Sequence, residues 1–336
     1  MSETINTDVW FVVVNVFAAS KKAASVWRKA EELMKQAEIP YRCVMTGESG
    51  NAMTLTMNAC AEGYRRFVAV GGDGTVHDVL EGMMFHLEKA REAGTCVCLS
   101  DFTLAVLPVG SGNDWIKTAG IPHDIAGAVA LFKSGHVARQ DVVKASMLDP
   151  VSLPQEKVLK VSYMANIGGV GLDARVCERV NRNKKQGKRG KILYVTALLY
   201  NILHRIPSCA RVFCDGEKVF DGYFLSMALG IGKYSGGGMR QTPDAVMDDG
   251  FLDLTVIPDL PILKIAKEAP KLFTGTFLTV KELVSARGRN LVIVPYDDAL
   301  PCAAVSGVPV EVDGEVVGDA PVKFEVLEGQ LNILRS

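Results

Sequence analysis

A glycine-rich turn that contains one acid is the stretch of this sequence best suited to chemistry. It reads Gly71-Gly72-Asp73-Gly74-Thr75 and follows the apolar run 67–70. Glycines let the backbone come close to a ligand, and amide groups at a turn and a helix start attract phosphate. A carboxylate there would repel phosphate unless it held Mg²⁺ or took a proton from the attacking group. Taken alone, the motif is better explained as a tight turn in which Asp73 caps a helix.

A second glycine loop changes that balance. Gly110-Ser111-Gly112-Asn113-Asp114 comes shortly after the next predicted strand, over 103–107. Neither loop has the GxGxxG spacing of the Rossmann fingerprint. In a parallel sheet, ligands bind at the carboxyl ends of the strands. Because both loops leave such ends, we expect them to meet over one ligand.

The elements that must position these loops alternate along the first half of the chain. Apolar runs predict strands over 10–17, 41–45, 67–70 and 103–107. Helical spacing of apolar residues predicts helices over 21–38, 53–64, 76–91 and 124–132. This alternation predicts a doubly wound parallel sheet that is covered on both faces.

The second half of the chain has a different pattern. Beyond residue 147, short strands and turns predominate, interrupted by helices predicted over 170–182 and 191–203. We therefore expect an α/β nucleotide-binding domain over 1–140 and a mainly antiparallel, β-rich substrate domain over 141–336. The last strands could return towards the first domain.

Composition narrows the class of protein. The 336 residues favour two domains, and a formal net charge of −1 gives no support for nucleic-acid binding. The eight cysteines include no CxxC pair, so a disulfide scaffold or zinc site is not expected. The start of the chain lacks the basic region of a signal peptide, and the apolar segment 192–206 is too short to span a bilayer. We expect a cytoplasmic protein.

A set of motifs in a fixed order resembles the diacylglycerol kinase catalytic domain, and most closely its soluble bacterial lipid kinases. Besides the two glycine loops, the matching segments are Asn15, Asp141, 166–174, 243–253 and 312–315. Each motif is weak alone, but the full set in order over nearly the whole chain is specific. The resemblance implies an NAD kinase/diacylglycerol kinase-like fold with the active site in the cleft between the domains. It also implies ATP and Mg²⁺ as cofactors, with phosphorylation of a lipid hydroxyl.

The resemblance and phosphoryl-transfer chemistry together assign the candidate residues. The catalytic residues would be Asp73 and Glu315. The nucleotide would be bound by Asn15, Gly71, Gly72, Gly74, Thr75, Gly110, Ser111, Gly112 and Asn113. Metal would be held by Asp141 and Asp249. For the last two acids and for Glu315, a loop or turn acid in solvent is an equally good explanation.

The first loop departs from the family's pattern. The family has Asn-Pro-x-Ser/Ala-Gly-x-Gly after its first strand, whereas residues 15–22 lack the proline and both glycines. Alanine in place of glycine restricts the backbone and pushes a Cβ towards any phosphate. This loop is therefore expected either to hold ATP less closely or to compensate through Lys21 or Lys22.

A lipid substrate lies at a membrane surface, so a docking feature is expected. Six basic residues crowd the segment 182–191, and the apolar helix 192–206 follows. The pair resembles a peripheral membrane contact at the inner face, although a solvated basic loop beside a core helix explains it slightly better. An exposed edge strand could also pair two copies into a homodimer.

The function that the resemblance implies is the ATP-dependent phosphorylation of diacylglycerol to phosphatidic acid. A sphingoid base, ceramide or phosphatidylglycerol are alternative lipid acceptors. NAD kinase is the nearest rival enzyme, but it would show an Asn-Glu pair where this chain has the second glycine loop. A protein that binds nucleotide or lipid without catalysis is the alternative that is not an enzyme, and only the unusual first loop supports it.

Overall fold

The computed structural model describes residues 7–18, 23–47, 51–110, 113–152, 155–185, 191–205, 207–297, 300–304 and 307–336. Its contacts divide the chain into two compact units. The first unit comprises Met1–Asp141 and Glu328–Ser336, and the second comprises Val142–Leu327.

The first unit alternates strands and helices. Its strands are β1 (Trp10–Val14), β2 (Tyr41–Met45), β3 (Arg66–Gly71) and β4 (Thr103–Pro108). Its helices are α1 (Ala23–Gln36), α2 (Ala52–Ala61), α3 (Asp73–Glu92), α4 (Trp115–Ala119) and α5 (Ile125–Ser134). The strand β5 (His136–Leu148) follows and continues into the second unit.

The parallel sheet of the first unit has the strand order β4-β3-β1-β2. All five residues of β1 are buried, as are the last five of both β3 and β4. Strands covered on both faces read as continuous apolar runs, which is why they could be predicted. In α1, Ala23, Trp27, Ala30 and Met34 are buried at helical spacing.

The second unit consists mainly of antiparallel strands. Its strands are β6 (Val158–Met164), β7 (Ile167–Gly171), β8 (Ser208–Cys214), β9 (Glu217–Gly230), β10 (Leu252–Pro258), β11 (Val284–Gly288), β12 (Asn290–Asp297), β13 (Leu300–Ala304), β14 (Val308–Val312), β15 (Glu315–Ala320) and β16 (Val322–Arg335). Its helices are α6 (Leu172–Lys185), α7 (Lys191–Leu203), α8 (Ile262–Glu268) and α9 (Lys271–Thr274). Along β15-β14-β7-β9-β8-β12-β16, neighbouring strands are antiparallel.

The strand β16 belongs to both units. Its first part pairs antiparallel with β12, and its last part pairs parallel with β4 at Asn332 and Ile333. The apolar runs over 322–327 and 331–334 predict two strands here, with a break between them. The structure has one long strand, in which Gly329 has φ +56. The parallel first unit and the antiparallel second unit confirm the predicted fold class.

The structure differs from the sequence prediction at three places near the candidate site. Helix α3 begins at Asp73, three residues before the predicted start, so that the acid lies in its first turn. The short helix α4 was not predicted. The segment 167–171 is the strand β7, although a helix was predicted from 170. The three glycines of β7 have no side chains, so the sequence shows no strand pattern there. Close packing requires them, since a Cβ on Gly168 would lie 2.9 Å from the Glu311 carbonyl oxygen.

Within the described ranges, no helix is long and apolar enough to cross a membrane.

Candidate active site

The turn between β3 and α3 uses its glycines for different purposes. A Cβ on Gly71 would lie 2.1 Å from Thr75 Oγ1, so the packing of the turn itself requires glycine there. At Gly74 a Cβ would meet no atom within 4 Å. Glycine in a helix is less stable than alanine by about 1 kcal/mol. Packing among the described residues therefore does not explain why position 74 is a glycine. An open position in the first turn of a helix suits a close-lying phosphate.

The side chain of Asp73 joins the two glycine loops. Its Oδ2 accepts a hydrogen bond of 2.9 Å from the backbone NH of Asp114, and its Oδ1 accepts one of 3.1 Å from the NH of Trp115. Trp115 begins α4, so this carboxylate caps a helix that starts 42 residues later. The Val109 NH also donates to the Gly71 carbonyl at 2.8 Å. The two loops therefore meet, as the topology predicts.

The second loop carries a buried amide that has no protein acceptor. Asn113 is only 3% exposed, and its Nδ2 has no hydrogen-bond partner in the described part of the chain. Its Oδ1 lies 3.1 Å from where a Cβ on Gly72 would stand. A buried donor left unsatisfied costs about 1–3 kcal/mol, which a ligand oxygen would remove. Gly110 has φ +101, a conformation that favours glycine, while Ser111 and Gly112 lie outside the described residues.

Asn15, which follows β1, is tied to the same turn. Its Nδ2 donates to Thr75 Oγ1 at 3.0 Å, and its Oδ1 accepts from the Phe17 NH at 3.1 Å. Its own NH donates to the Val70 carbonyl at 3.1 Å. Asn15 therefore fixes Thr75 at the helix start. The unusual residues of the first loop, Ala19, Lys21 and Lys22, lie outside the described residues.

Taken together, the first unit fits a nucleotide phosphate chain. The start of a 20-residue helix, the open position at Gly74 and the unsatisfied Asn113 amide all occur on two adjacent strand ends. Each supplies a donor or open space that an anion would use. These are the residues that would hold ATP.

Asp141 is fully buried in β5. Its Oδ1 accepts a hydrogen bond of 2.6 Å from the Gly329 NH of the returning strand β16. The preceding Gln140 accepts from Trp115 Nε1 at 3.1 Å. Both side chains therefore fasten β5 to neighbouring elements of the first unit. This gives Asp141 a structural role that the sequence did not indicate.

The acidic turn at Asp249 is occupied by protein groups. Asp249 Oδ1 accepts from the Phe251 NH at 3.0 Å, and its Oδ2 forms an ion pair with Arg287. No cluster of three metal-ligating side chains occurs within the portion of the chain that the structure describes. A carboxylate that is paired with an arginine does not fit a resident cation, so the structure does not support a metal site at Asp249. Mg²⁺ held mainly by nucleotide phosphates needs only one or two carboxylates, and Asp73, in the first turn of α3, could supply one.

The acid Glu315 follows the tight turn between β14 and β15. Asp313 and Gly314 have φ +50 and +89, which is typical of a two-residue hairpin turn. The Asp313 carboxylate accepts from the NH groups of Ala165 and Asn166, at 2.8 and 2.9 Å. This anchoring fixes the turn, from which the exposed Glu315 extends.

Two side chains that hold this hairpin were missed by sequence reasoning. The buried Glu311 accepts from the Gly314 NH at 2.7 Å. Asn181 of α6 donates from Nδ2 to Glu315 Oε2 at 3.2 Å and to the Gly314 carbonyl at 3.1 Å. No local pattern signals these contacts, because Asn181 and Glu315 are 134 residues apart.

A buried polar network fixes the start of α6. Asp173, in its first turn, accepts from Ser226 Oγ at 2.8 Å and from Gln241 Nε2 at 3.1 Å. Burial raises the pKa of the Asp173 carboxyl, while the two hydrogen bonds oppose that rise. The network holds the helix against the sheet of the second unit.

Comparison with known families agrees with the two units. Residues 9–145 match the diacylglycerol kinase catalytic domain, and residues 166–335 match the YegS C-terminal NAD kinase beta sandwich-like domain. The chain therefore belongs to the diacylglycerol kinase family. Within that family it belongs to the YegS-like branch.

Curated relatives support this assignment, and solved structures share the fold. A Pseudomonas putida protein named "Probable lipid kinase YegS-like" is 30% identical over 86% of this chain and 83% of its own length. A Xanthomonas campestris protein of the same name is 26% identical over 91% of this chain and 90% of its own. A crystal structure of a Bacillus anthracis diacylglycerol kinase shares the fold, with a TM-score of 0.66 at 19% identity, covering 99% of this chain and 98% of that one. Yeast NADH kinase, crystallised with NADH, has a TM-score of 0.50 at 11% identity, over 97% of this chain and 83% of that one.

Proposed function

We propose that this protein transfers the γ-phosphate of ATP to a lipid hydroxyl, and that the lipid is diacylglycerol. The observation that carries the nucleotide half is the buried, unsatisfied Nδ2 of Asn113 beside the start of α3. The lipid half rests on membership of the diacylglycerol kinase family and on relatives named as lipid kinases. Phosphatidic acid and ADP are then the products.

The geometry around the start of α3 supports the proposed roles of the phosphate-binding residues, and the role of Glu315 rests on membership of the family. The amide groups at the start of α3 and the Asn113 side chain bind the phosphates. Glu315 accepts the proton of the lipid hydroxyl while the hydroxyl oxygen forms a bond to the γ-phosphorus. The bond between that phosphorus and the bridging oxygen then breaks, and ADP leaves with the negative charge. Mg²⁺, when bound with the nucleotide, supplies charge neutralisation of the phosphates.

Asp73 has two roles in this proposal, one in holding the second loop and one in binding Mg²⁺. Its carboxylate holds the second loop through the NH groups of Asp114 and Trp115, and it lies in the first turn of the phosphate-binding helix. A carboxylate in that position can bind a Mg²⁺ that accompanies ATP. Asp73 thereby positions the nucleotide and contributes to charge neutralisation.

We also propose that the second unit contacts the membrane that carries the lipid. Helix α7 exposes Leu199, Tyr200 and Leu203 by 55%, 42% and 67%, while Ala197 is buried. An amphipathic helix with exposed apolar residues and nearby basic residues is typical of a peripheral contact. Of the basic run, 186–190 lie outside the described residues, and Arg182 pairs with Glu178 at 2.7 Å.

Transfer of label from radioactive ATP tests the proposed function. The protein is incubated with micelles of diacylglycerol, a sphingoid base, ceramide or phosphatidylglycerol, and separately with NAD. Label in diacylglycerol supports the proposal as stated, and label in another lipid alone keeps the lipid kinase but changes its substrate. Label in NAD alone identifies an NAD kinase. ATP binding without transfer to any acceptor identifies a binder without turnover.

A further inference from the structure

The hairpin acid Glu315 is held by a side chain from another element. Asn181 lies near the carboxyl end of α6 and donates from one amide nitrogen to Glu315 Oε2, at 3.2 Å, and to the Gly314 carbonyl, at 3.1 Å. One amide group therefore contacts both the backbone of the turn and the carboxylate that leaves it. An exposed glutamate otherwise samples several rotamers, so such a contact restricts where its oxygens lie.

The helix that carries Asn181 is fixed in place. Its first turn is anchored by Asp173, whose carboxylate is bound by Ser226 and Gln241. Ala174, Val176 and Val180 of the same helix are buried. Ala174 and Asn181 are seven residues apart, so they lie on the same helix face. The amide of Asn181 is therefore presented from a rigid support, which a side chain on the hairpin could not provide for itself.

The hairpin is also fixed independently of Asn181. Asp313 is bound by the NH groups of Ala165 and Asn166, and Glu311 is bound by the NH of Gly314. The turn would therefore keep its shape without the Asn181 contact to Gly314. The contact of Asn181 that these anchors do not duplicate is the one with the Glu315 carboxylate.

We propose that Asn181 is a positioning residue, which orients the Glu315 carboxylate to accept the proton of the lipid hydroxyl. The inference rests on the proposed function, since it assumes that Glu315 is the base. Orientation of a base within a few tenths of an ångström affects the rate of transfer more than it affects binding of the nucleotide. The expected signature is a lower kcat with an unchanged KM for ATP.

The first experiment compares substitutions at position 181 in the full-length protein, with diacylglycerol in micelles and with the other lipids of the panel. Asn181→Ala should lower kcat by about tenfold or more, as expected for a lost hydrogen bond to a charged group. Asn181→Gln keeps an amide donor on a longer arm and should recover part of that loss. The matched control is Glu178→Gln, an exposed residue one turn earlier that pairs only with Arg182 in the described structure, and it should leave kcat unchanged.

A double-mutant cycle separates positioning from a general effect on the fold. Glu315→Asp keeps the carboxylate but withdraws it from Asn181 by one methylene group. If Asn181 acts through Glu315, adding Asn181→Ala to Glu315→Asp should cost clearly less than it costs in the wild type. If Asn181 only supports the fold, the two losses should multiply and the melting temperature should fall in parallel. That result, or a wild-type kcat in Asn181→Ala, would overturn the inference. If Asn181→Ala does not fold, Asn181→Gln carries the same cycle.

The outcome for the proposed function is read from the wild type in the same experiment. A wild-type protein that labels no lipid overturns the proposed function and this inference with it. If the wild type labels a lipid and the Glu315→Asp and Asn181→Ala variants do so at the same rate, the proposed kinase function stands and only this inference is overturned.

Discussion

The carboxylate of Asp73 accepts a hydrogen bond of 2.9 Å from the backbone NH of Asp114. These residues belong to the two glycine loops, which leave the adjacent parallel strands β3 and β4. One acid thus holds the second loop while lying in the first turn of the helix that follows the first loop. A tight turn with a locally capping aspartate would not need this contact. The helix that Asp73 caps is α4, and not the helix in which it lies.

Substitution of Asp73 should affect both activity and stability. Asp73→Ala removes two hydrogen bonds to NH groups, so we expect a loss of a few kcal/mol in the free energy of unfolding. We also expect a folded protein whose phosphoryl transfer is lower by about 100-fold or more. Asp73→Asn is the matched variant, since it keeps the shape and one oxygen acceptor. Thermal melts and label transfer measure the two effects, and near-wild-type turnover would remove Asp73 from the mechanism.

Substitution by alanine should have opposite effects on stability at Gly74 and at Gly71. Gly74→Ala fills open space in a helix, so it should raise stability by up to about 1 kcal/mol. It should also raise the KM for ATP by about tenfold, equivalent to 1.4 kcal/mol, because the Cβ occupies the approach of the phosphates.

Gly71→Ala is the control for that substitution. Its Cβ would lie 2.1 Å from Thr75 Oγ1, so stability should fall by roughly 1–3 kcal/mol. Urea unfolding and ATP titration of both variants give the comparison. An unchanged KM in Gly74→Ala would place the phosphates elsewhere.

Asn113 should matter for nucleotide binding more than for the fold. Its Nδ2 has no acceptor among the described residues, so the isosteric Asn113→Asp removes no protein hydrogen bond from that atom. The substitution replaces a donor with a negative charge near the bound phosphates. We expect ATP affinity to fall by at least about tenfold, measured by calorimetry. Equal affinity in the variant and the wild type would contradict the assignment of Asn113 to the nucleotide site.

The stability of the second unit should depend on pH through Asp253. Burial, and then repulsion from Asp244, raise the pKa of Asp253 from 3.8 to about 6, while Lys233 opposes the rise. The Arg287 guanidinium also faces it, with Nε 3.7 Å from Asp253 Oδ2. The folded protein binds a proton at the Asp253 carboxyl more tightly than the unfolded chain does. The contribution of this protonation to the free energy of unfolding is therefore present at low pH. It is lost as the pH rises from about 4 to about 6.

The isosteric Asp253→Asn removes this titration. The free energy of unfolding of the wild type minus that of the variant should fall by roughly 2–3 kcal/mol between pH 4 and pH 6.5. Urea unfolding of both proteins at several pH values measures the difference, from which the other carboxylates cancel. A difference that stays constant, or rises with pH, would show that folding does not raise the pKa of Asp253.

The sequence predicted the parts of the fold that local patterns determine. Fully buried strands such as β1 and β3 are continuous apolar runs, and α1 has its buried residues at helical spacing. Local patterns could not show β7, because its glycines carry no side chains to give a period. The early start of α3 was missed because it begins with Asp73 and Gly74 directly after two further glycines, a combination that ordinarily marks a turn.

The contact between the two glycine loops could be predicted in part from the sequence. The meeting of the two loops follows from the order of strands, which the alternating pattern indicates. The capping of α4 by Asp73 and the contact of Asn181 with Glu315 depend on residues 42 and 134 positions apart. Such contacts arise only after the chain has folded, so a single sequence carries no pattern for them.

The rate at which label passes from ATP to a lipid, compared in the wild type and in Glu315→Ala, tests the central claim most directly. Glu315 is exposed, so its removal should leave the melting temperature nearly unchanged. The account predicts labelled phosphatidic acid from the wild type and a rate lower by about 100-fold or more in the variant, the loss expected for a general base. Absence of labelled lipid from the folded wild type, or an equal rate in the variant, would contradict it.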